Sequence, residues 1–527
     1  MPNFFQKQVS EYDSSQQRIL NRYMPTVRIG TGSLLIFLAG VSCVALLLVQ
    51  HRQKIILSAF GPELSAKAVA VETASITLAA AMPQRAKILP ARAFAVATKR
   101  RLDLQLPGQQ SWEPSIIVTR DDAESGNNDE VIATFMDGRA TATLTDTRIA
   151  IAQSVNGGNS WDTAELLPPA AATNIQFDPM TALDASTGRA YVGAMSRNFD
   201  AGVIDTIWLA TRNAAASNFA ESAIVIPVEG VDKGWMAAGA LPAPQVGSAL
   251  YLAFNAQNQH FVSKSIDGGV NFLAPLSLPP TIAYQPRLAP NGVLSMSYYG
   301  AGFASIIKST DGLQTLNAPV NIAPFAANPT ALSNAVPGTF RMPYFVMHAI
   351  DPNNGKIYLV YNDVTGIING EADVNLLLRD SIDGGQTWSA PRIVNGDGAA
   401  GGPAGDQIMP WIECDSFGRL HLSYFDNRRN PSFDGAQAGL FDVYYALSSD
   451  GGSSWQELRL TDTPLASSSS VWNPLGDGVQ FLGDYLGLAV SKHAAYVAYP
   501  GDDKGATAMW VTRIDLRQPG EFADGFE

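Results

Sequence analysis

Between residues 101 and 517, short β-rich runs of apolar and aromatic residues recur, each broken off by turn-forming residues. Arg148–Ser154 (RIAIAQS), Asn375–Ser381 (NLLLRDS) and Val443–Ser449 (VYYALSS) are examples. This pattern predicts many short strands, an all-β body. One stretch differs: Ser33–Val49 (SLLIFLAGVSCVALLLV) is apolar and uncharged, about long enough to cross a bilayer as a helix. Residues 51–100 are rich in Ala and Val without a clean period and read as a spacer. The chain therefore divides into a polar tail (1–28), an apolar segment (29–50), a spacer (51–100), a strand-rich body (101–517) and a short acidic-aromatic tail (518–527).

Two motifs alternate within the body. The first is Ser-x-Asp-Gly-Gly-x-Ser/Thr-Trp, at Ser381–Trp388 and Ser448–Trp455. Ser154–Trp161 has Asn156 in place of Asp, and the copies around Asp267 and Asp311 lack the final Trp. Thr211–Phe219 reads as a decayed copy. The carboxylates of Asp267, Asp311, Asp383 and Asp450 suit the amides of a hairpin turn, Gly supplies positive φ, and Trp161, Trp388 and Trp455 are expected to pack between sheets. The second motif is a polar turn ending in Gly: Asp184–Gly188, Asp351–Gly355 and Asp415–Gly418. It precedes the first motif as a first hairpin precedes a second. The strand after it ends in an aromatic at Phe135, Phe254, Tyr298, Tyr361, Tyr424 and Tyr499.

Two motifs in fixed alternation define units of four strands, starting near Glu113, Asp178, Trp235, Gln285, Arg341, Asp406 and Asp484. The expected fold is a β-propeller of six or seven blades, with seven favoured. The last unit lacks a fourth strand, which Arg101–Leu106 would supply to close the ring.

Charge refines this picture. Residues 1–100 hold 12 Lys+Arg against 4 Asp+Glu, so the rest carries a net −21 within a chain total of −13. An acidic body of that kind excludes nucleic acid as its natural partner. Lys7, Arg18, Arg22 and Arg28 precede the apolar segment, favouring a cytoplasmic tail and an extracytoplasmic body on a single-pass anchor. A cleaved signal peptide and a secreted body form the alternative. Cys43 lies in the apolar segment and Cys414 in a predicted strand, so no disulfide framework is expected.

The Ser-x-Asp-Gly copies resemble those of the sialidase/neuraminidase superfamily and the bacterial neuraminidase repeat propellers, over about residues 110–516. Phe340-Arg341-Met342-Pro343 is similar to the motif whose Arg binds a substrate carboxylate in that family. The resemblance implies a glycoside hydrolase with Arg341, an acid/base near Asp363 and a Tyr nucleophile, for which Tyr485 is available. In the family that motif opens the first blade; here it opens about the fifth, and the register of Gly483-Asp484-Tyr485 differs. The alternative is a non-catalytic cell-surface propeller binding a glycan or protein; in either case a glycan or glycoprotein ligand and a monomer are expected.

In either reading the two motifs sit on one face, and a site belongs on the other, near the axis. There Glu113, Asp178, Asp406 and Asp484 would form an acidic funnel, suited to Ca²⁺ or to a neutral or cationic sugar rather than an anionic one. Arg287, Asp426 and Arg428 complete the expected substrate contacts. No metal-ligand cluster or cofactor motif is evident, so Ca²⁺ is the one cation under consideration.

Overall fold

The computed structural model describes residues 37–39, 42–44, 83–89, 94–103 and most of 109–516. Outside the described residues are 1–36, 45–82, 517–527 and several internal stretches, the longest being 139–146, 327–342, 397–404, 430–438 and 467–481. Most of the apolar segment 29–50 lies outside. What is described of it is strand rather than the expected helix: Phe37–Ala39 pairs antiparallel with Ser42–Val44. Among the described residues no helix is long and apolar enough to cross a membrane.

Seven antiparallel sheets make up the body, each built from four strands in sequence order except the last. Their first strands are Gln110–Arg120, Ile175–Asp184, Asp232–Ala240, Gln285–Leu288, Met347–Ile350, Gln407–Cys414 and Gly487–Val490. Each first strand contacts that of the next sheet, and the seventh contacts the first. These contacts close a ring of seven blades around an axis lined by first strands, which settles the blade count.

Blade 7 takes its fourth strand from Phe94–Arg101, paired antiparallel along Trp510–Leu516. The closing strand is therefore shifted from the expected Arg101–Leu106. Further upstream, Gln84–Arg85 lies parallel to Arg392–Ile393 on the rim of blade 5. Lys87–Leu89 does the same along Ser454–Gln456 of blade 6. The chain from residue 84 thus fastens blades 5, 6 and 7 in succession, and the spacer boundary at residue 100 moves back accordingly. This cover removes sheet edges that would otherwise stay open.

First strands begin at one face, here the upper; the 1–2 and 3–4 turns lie on the lower. In five blades (1, 3, 4, 5 and 6) the 3–4 turn repeats one hydrogen-bond pattern. The Ser hydroxyl donates to the Asp or Asn side chain over 2.7–3.1 Å. It also accepts from the amide four residues on at 2.7–2.8 Å. The side chain of Asn156, Asp267, Asp311, Asp383 or Asp450 takes a further amide at 2.8–3.0 Å. In blades 1, 3, 5 and 6 both turn glycines have positive φ, 68° and 85° at Gly451 and Gly452, which Gly adopts without steric cost; in blade 4 the second position is Leu313, held at 62°. Trp161, Trp388 and Trp455 each donate Nε1 to the second glycine's carbonyl at 3.1–3.3 Å and pack between blades. Blade 2 keeps a turn at the decayed copy, closed by Ala216 N to Asn213 O and Ala220 N to Thr211 O, with no carboxylate at its centre.

A contact that the motif does not announce binds each of these turns to the preceding blade. The carbonyl of the first turn glycine accepts from a basic side chain there. The pairs are Arg513 with Gly157 (2.9 Å), Lys264 with Gly312, Lys308 with Gly384, and Arg392 with Gly451 (3.2 Å). Arg189 packs so closely on Gly268 that a Cβ there would overlap its guanidinium. The lower face is therefore a ring of turns latched blade to blade. Between blades, the aromatic residues at the ends of the second strands are all buried, as their spacing predicts.

Candidate functional site

Four first strands carry a bulge at the same level. Register slips between Trp112 and Ser115, Phe177 and Met180, Asp232 and Trp235, and Ile408 and Trp411. Within each bulge one non-glycine residue has positive φ: Glu113 (53°), Asp178 (47°), Lys233 (42°) and Met409 (52°). The residue after it is Pro114, Pro179, Gly234 or Pro410. Such backbone costs about 1–3 kcal/mol per residue and persists only where the surroundings enforce it. A bulge here re-aims a side chain.

Three of those side chains meet. The Lys233 ammonium lies 2.7 Å from Asp178 Oδ1, 2.7 Å from Asp484 Oδ2 and 3.5 Å from Glu113 Oε1. All four residues are buried. The backbone reinforces the cluster: Lys233 N donates to Asp178 Oδ2 at 3.2 Å, and Asp484 N donates to Glu113 Oε1 at 3.1 Å. Beside it, Trp235 meets Phe345, Trp411 and Tyr485 edge-to-face, and Tyr485 lies tilted against Phe345 and Trp411, with ring centroids 5.0–6.4 Å apart. The ammonium stands over the rings of Tyr485 (5.4 Å) and Phe345 (5.9 Å), a favourable position for a cation.

The expected acidic funnel is thus corrected. Glu113, Asp178 and Asp484 do converge, but around a lysine that already supplies the cation. Asp406 does not join them: its Oδ1 accepts from Val374 N of blade 5 at 3.1 Å, and its amide donates to Asn427 at 2.6 Å. Among the described residues no group of three or more His, Cys, Asp or Glu is arranged to hold a metal ion.

The remaining candidates are separated. Arg341 lies outside the described residues. Asp363 is buried at the upper end of blade 5, accepting from Ala326 N at 2.7 Å and Val364 N at 2.8 Å, and so links blades 4 and 5. Tyr485 is enclosed by the aromatic group; burial first, then Glu113, Asp178 and Asp484, hold its phenol well above the ordinary range. That shift opposes the ionisation a nucleophilic tyrosine requires. Arg287 is occupied by its neighbours along the ring: Nε donates to His348 O of blade 5 at 3.2 Å, and the guanidinium pairs with Glu413 of blade 6.

Asp426 and Arg428 belong to another cluster, in blade 6. Arg428 bonds Asp426 through Nε at 2.7 Å and Glu457 through Nη1 at 2.7 Å, and stacks 4.4 Å from the Tyr444 ring centroid. Tyr424 donates to Glu457 at 2.5 Å, and so does Gly396 N of blade 5, at 2.7 Å. This group ties two blades together; Tyr424 is fully buried.

Sequence reasoning missed Lys233, although a signal existed. Glu113-Pro, Asp178-Pro, Lys233-Gly and Met409-Pro occupy one register. The third and sixth units align on these pairs, not on Trp235 and Asp406.

No family model matches the chain, and no curated protein matches it. Among solved structures, a Dyadobacter fermentans protein of unknown function is similar at 14% identity and a TM-score of 0.45, over 81% of this chain and 100% of that one. Trypanosoma rangeli sialidase with 2,3-difluorosialic acid is similar at 12% identity and a TM-score of 0.38, over 81% of this chain and 59% of the sialidase. YCF48 bound to D1 peptide is similar at 9% identity and a TM-score of 0.39, over 82% and 100%. In its closed ring, its strand order and its repeated Ser-x-Asp-Gly turns, this chain has the fold of a seven-bladed β-propeller.

Proposed function

We propose that the chain is a non-catalytic, extracytoplasmic propeller that binds a glycan or glycoprotein on its upper face and is held at a membrane by residues 29–50. One observation carries the first part: the carboxylates that converge on the axis clasp Lys233 at 2.7 Å. An acid/base pair for glycoside hydrolysis needs two carboxyl groups facing the scissile bond, whereas these face an internal ammonium. The protonated, enclosed Tyr485 and the backbone-bound Asp363 support the same reading. Strained bulges around a fixed charge cluster suit a rigid platform, on which the upper loops meet a ligand.

The test pairs turnover with binding. Full-length protein is assayed on fluorogenic glycosides, sialosides included, and on an immobilised glycan panel, with Arg341→Ala alongside. Binding without turnover is expected. Turnover that Arg341→Ala abolishes would replace this proposal with a hydrolase. The anchor is tested separately by carbonate extraction of membranes from expressing cells: retention in the pellet is expected, and release into the supernatant refutes anchoring.

A further inference from the structure

On most of the lower face, first-hairpin turns of adjacent blades touch. Asn353 donates to Ser416 O at 3.1 Å (blades 5 and 6), Arg419 to Lys492 O at 3.1 Å (6 and 7), and Lys492 N to Asp121 at 3.0 Å (7 and 1). Between blades 4 and 5 the turns instead stand apart around a cleft of about 420 Å³. One residue accounts for the opening. In four other seams a buried tyrosine near the lower end of a second strand packs on the next blade's 3–4 turn. A Cβ on Gly269 would lie 3.4 Å from the Tyr191 ring, one on Gly451 3.3 Å from Tyr358 Oη, and one on Gly158 3.2 Å from the Tyr496 ring. Tyr251 shares a core cluster with Leu313. Across its strand pair Tyr251 stands opposite Lys264; the corresponding pair in blade 4 is Ser295 and Lys308. Where the neighbours send a phenol ring, blade 4 has a hydroxymethyl group, and Ser295 lines the space left over.

That space is chemically marked. Val293, Ile350 and Ile357 give it an apolar wall, and no Asp or Glu lines it, although the chain as a whole is acidic. Lys308, also in the lining, spends one donor on Gly384 O, and an ammonium has three. Among the described residues Lys308 pairs with no carboxylate, whereas the latching arginines of two other seams do: Arg392 with Asp380 at 2.7 Å and Arg513 with Asp515 at 2.8 Å.

We propose that this cleft binds a small aromatic carboxylate, its ring in the place that tyrosine fills in the other seams and its charge on Lys308. The volume falls within the range of small-molecule sites. A lysine beside a ring already occurs on this face, where Lys356 Nζ lies 4.8 Å from the Tyr358 ring centroid, a favourable position for a cation. The floor is fixed in advance, since Ser295 Oγ is held 2.7 Å from His348 Nε2. This site lies on the face opposite the glycan-binding one and does not depend on it.

The test titrates full-length protein by calorimetry with para-hydroxybenzoate and with its neutral amide, para-hydroxybenzamide. Saturable one-site binding of the acid is expected, with the amide about tenfold weaker for want of a charge-assisted contact. Lys308→Met should bring the acid down to the affinity of the amide and leave the amide unchanged. Because Lys308 also latches a turn, Ile382→Asp serves as a second variant. Ile382 lines the cleft and is 84% exposed, so the fold tolerates the change. The added carboxylate should weaken the acid about threefold without moving the amide. No saturable binding at millimolar acid, equal affinity for acid and amide, or acid binding indifferent to both substitutions would overturn the proposal.

Discussion

The lower face and the axis solve one problem, holding seven similar sheets in a ring, by opposite means. Below, five turns repeat one local hydrogen-bond pattern, each complete within eight residues and latched to its neighbour by a single basic side chain. At the axis nothing repeats chemically. One bulge geometry recurs four times, yet it presents Glu113, Asp178, Lys233 and Met409, and the charges are satisfied only across blades 1, 2, 3 and 7. Redundant local order therefore surrounds a centre that depends on single residues. A loss below should be shared around the ring, whereas a loss at the axis should not.

The sharpest way to break that comparison is Lys233→Met. It leaves Asp178 and Asp484 facing each other without their shared cation, and breaking a buried charge cluster in this way costs about 3–5 kcal/mol. Urea unfolding should register a midpoint shift of that size with an unchanged slope. A shift below about 1 kcal/mol would mean that water reaches the cluster and that the axis is not the fragile region.

Asp450→Ala probes the other side. The carboxylate accepts from Ser448, Ser453 and Ser454 at 2.5–3.0 Å, and its loss should cost about 2 kcal/mol. Asp450→Asn should cost much less, since Asn156 already fills that role in blade 1 by accepting from Ser160 N at 2.9 Å and donating to its hydroxyl at 2.8 Å. Equal losses for Ala and Asn would show that charge, not turn geometry, holds these hairpins.

The same contrast decides what could be read from sequence. The turns were legible because every partner lies within a few residues, so spacing alone encodes them; even the Asn156 variant and the copies lacking Trp kept their register. The closing strand was misplaced because Arg101–Leu106 alternates more cleanly than Phe94–Arg101, whose apolar residues merge with an Ala-rich stretch. What decided the pairing was the length of Trp510–Leu516 available to it. The axial site was legible only in part. Three of its carboxylates were found by their place at strand entrances, but Lys233 and the reach of Arg287 to Glu413 depend on how several blades are brought together around the ring. That relation is set by closure and appears in no local pattern.

A smaller effect tests the latch. Lys264→Met removes the buried ammonium that donates to Gly312 O while keeping most of the side-chain volume. About 1 kcal/mol is expected, together with faster amide exchange at Leu313 and Thr315, the turn it secures. Exchange that spreads to the Lys233 cluster would show the two regions to be coupled rather than separate.

Acid should separate them with the smallest effect near neutrality. His348 is wholly buried, with Nε2 at 2.7 Å from Ser295 Oγ and Nδ1 at 2.8 Å from Ser297 Oγ; burial first, then Arg287, hold its pKa well below 6.5. Burial lowers His260 and His421 as well. For a histidine depressed in the folded state, the unfolded chain binds the proton first, so stability falls as pH drops below about 6.5. The turn carboxylates behave differently. Hydrogen bonds from Asn271 and Ser265 bring Asp267 down to about 2, and at Asp311 those from Thr315 and Ser309 outweigh burial to the same value. Their contribution is full above the unfolded pKa near 4 and disappears only as pH falls through about 2. Thermal unfolding followed from pH 8 to pH 3 should therefore decline first between 6.5 and 5, before any carboxylate in the turns protonates. His348→Gln should flatten that early decline and leave the later one unchanged. A melting temperature constant down to pH 4.5 would show that the buried histidines do not limit stability, and that acid first acts on the ring of turns.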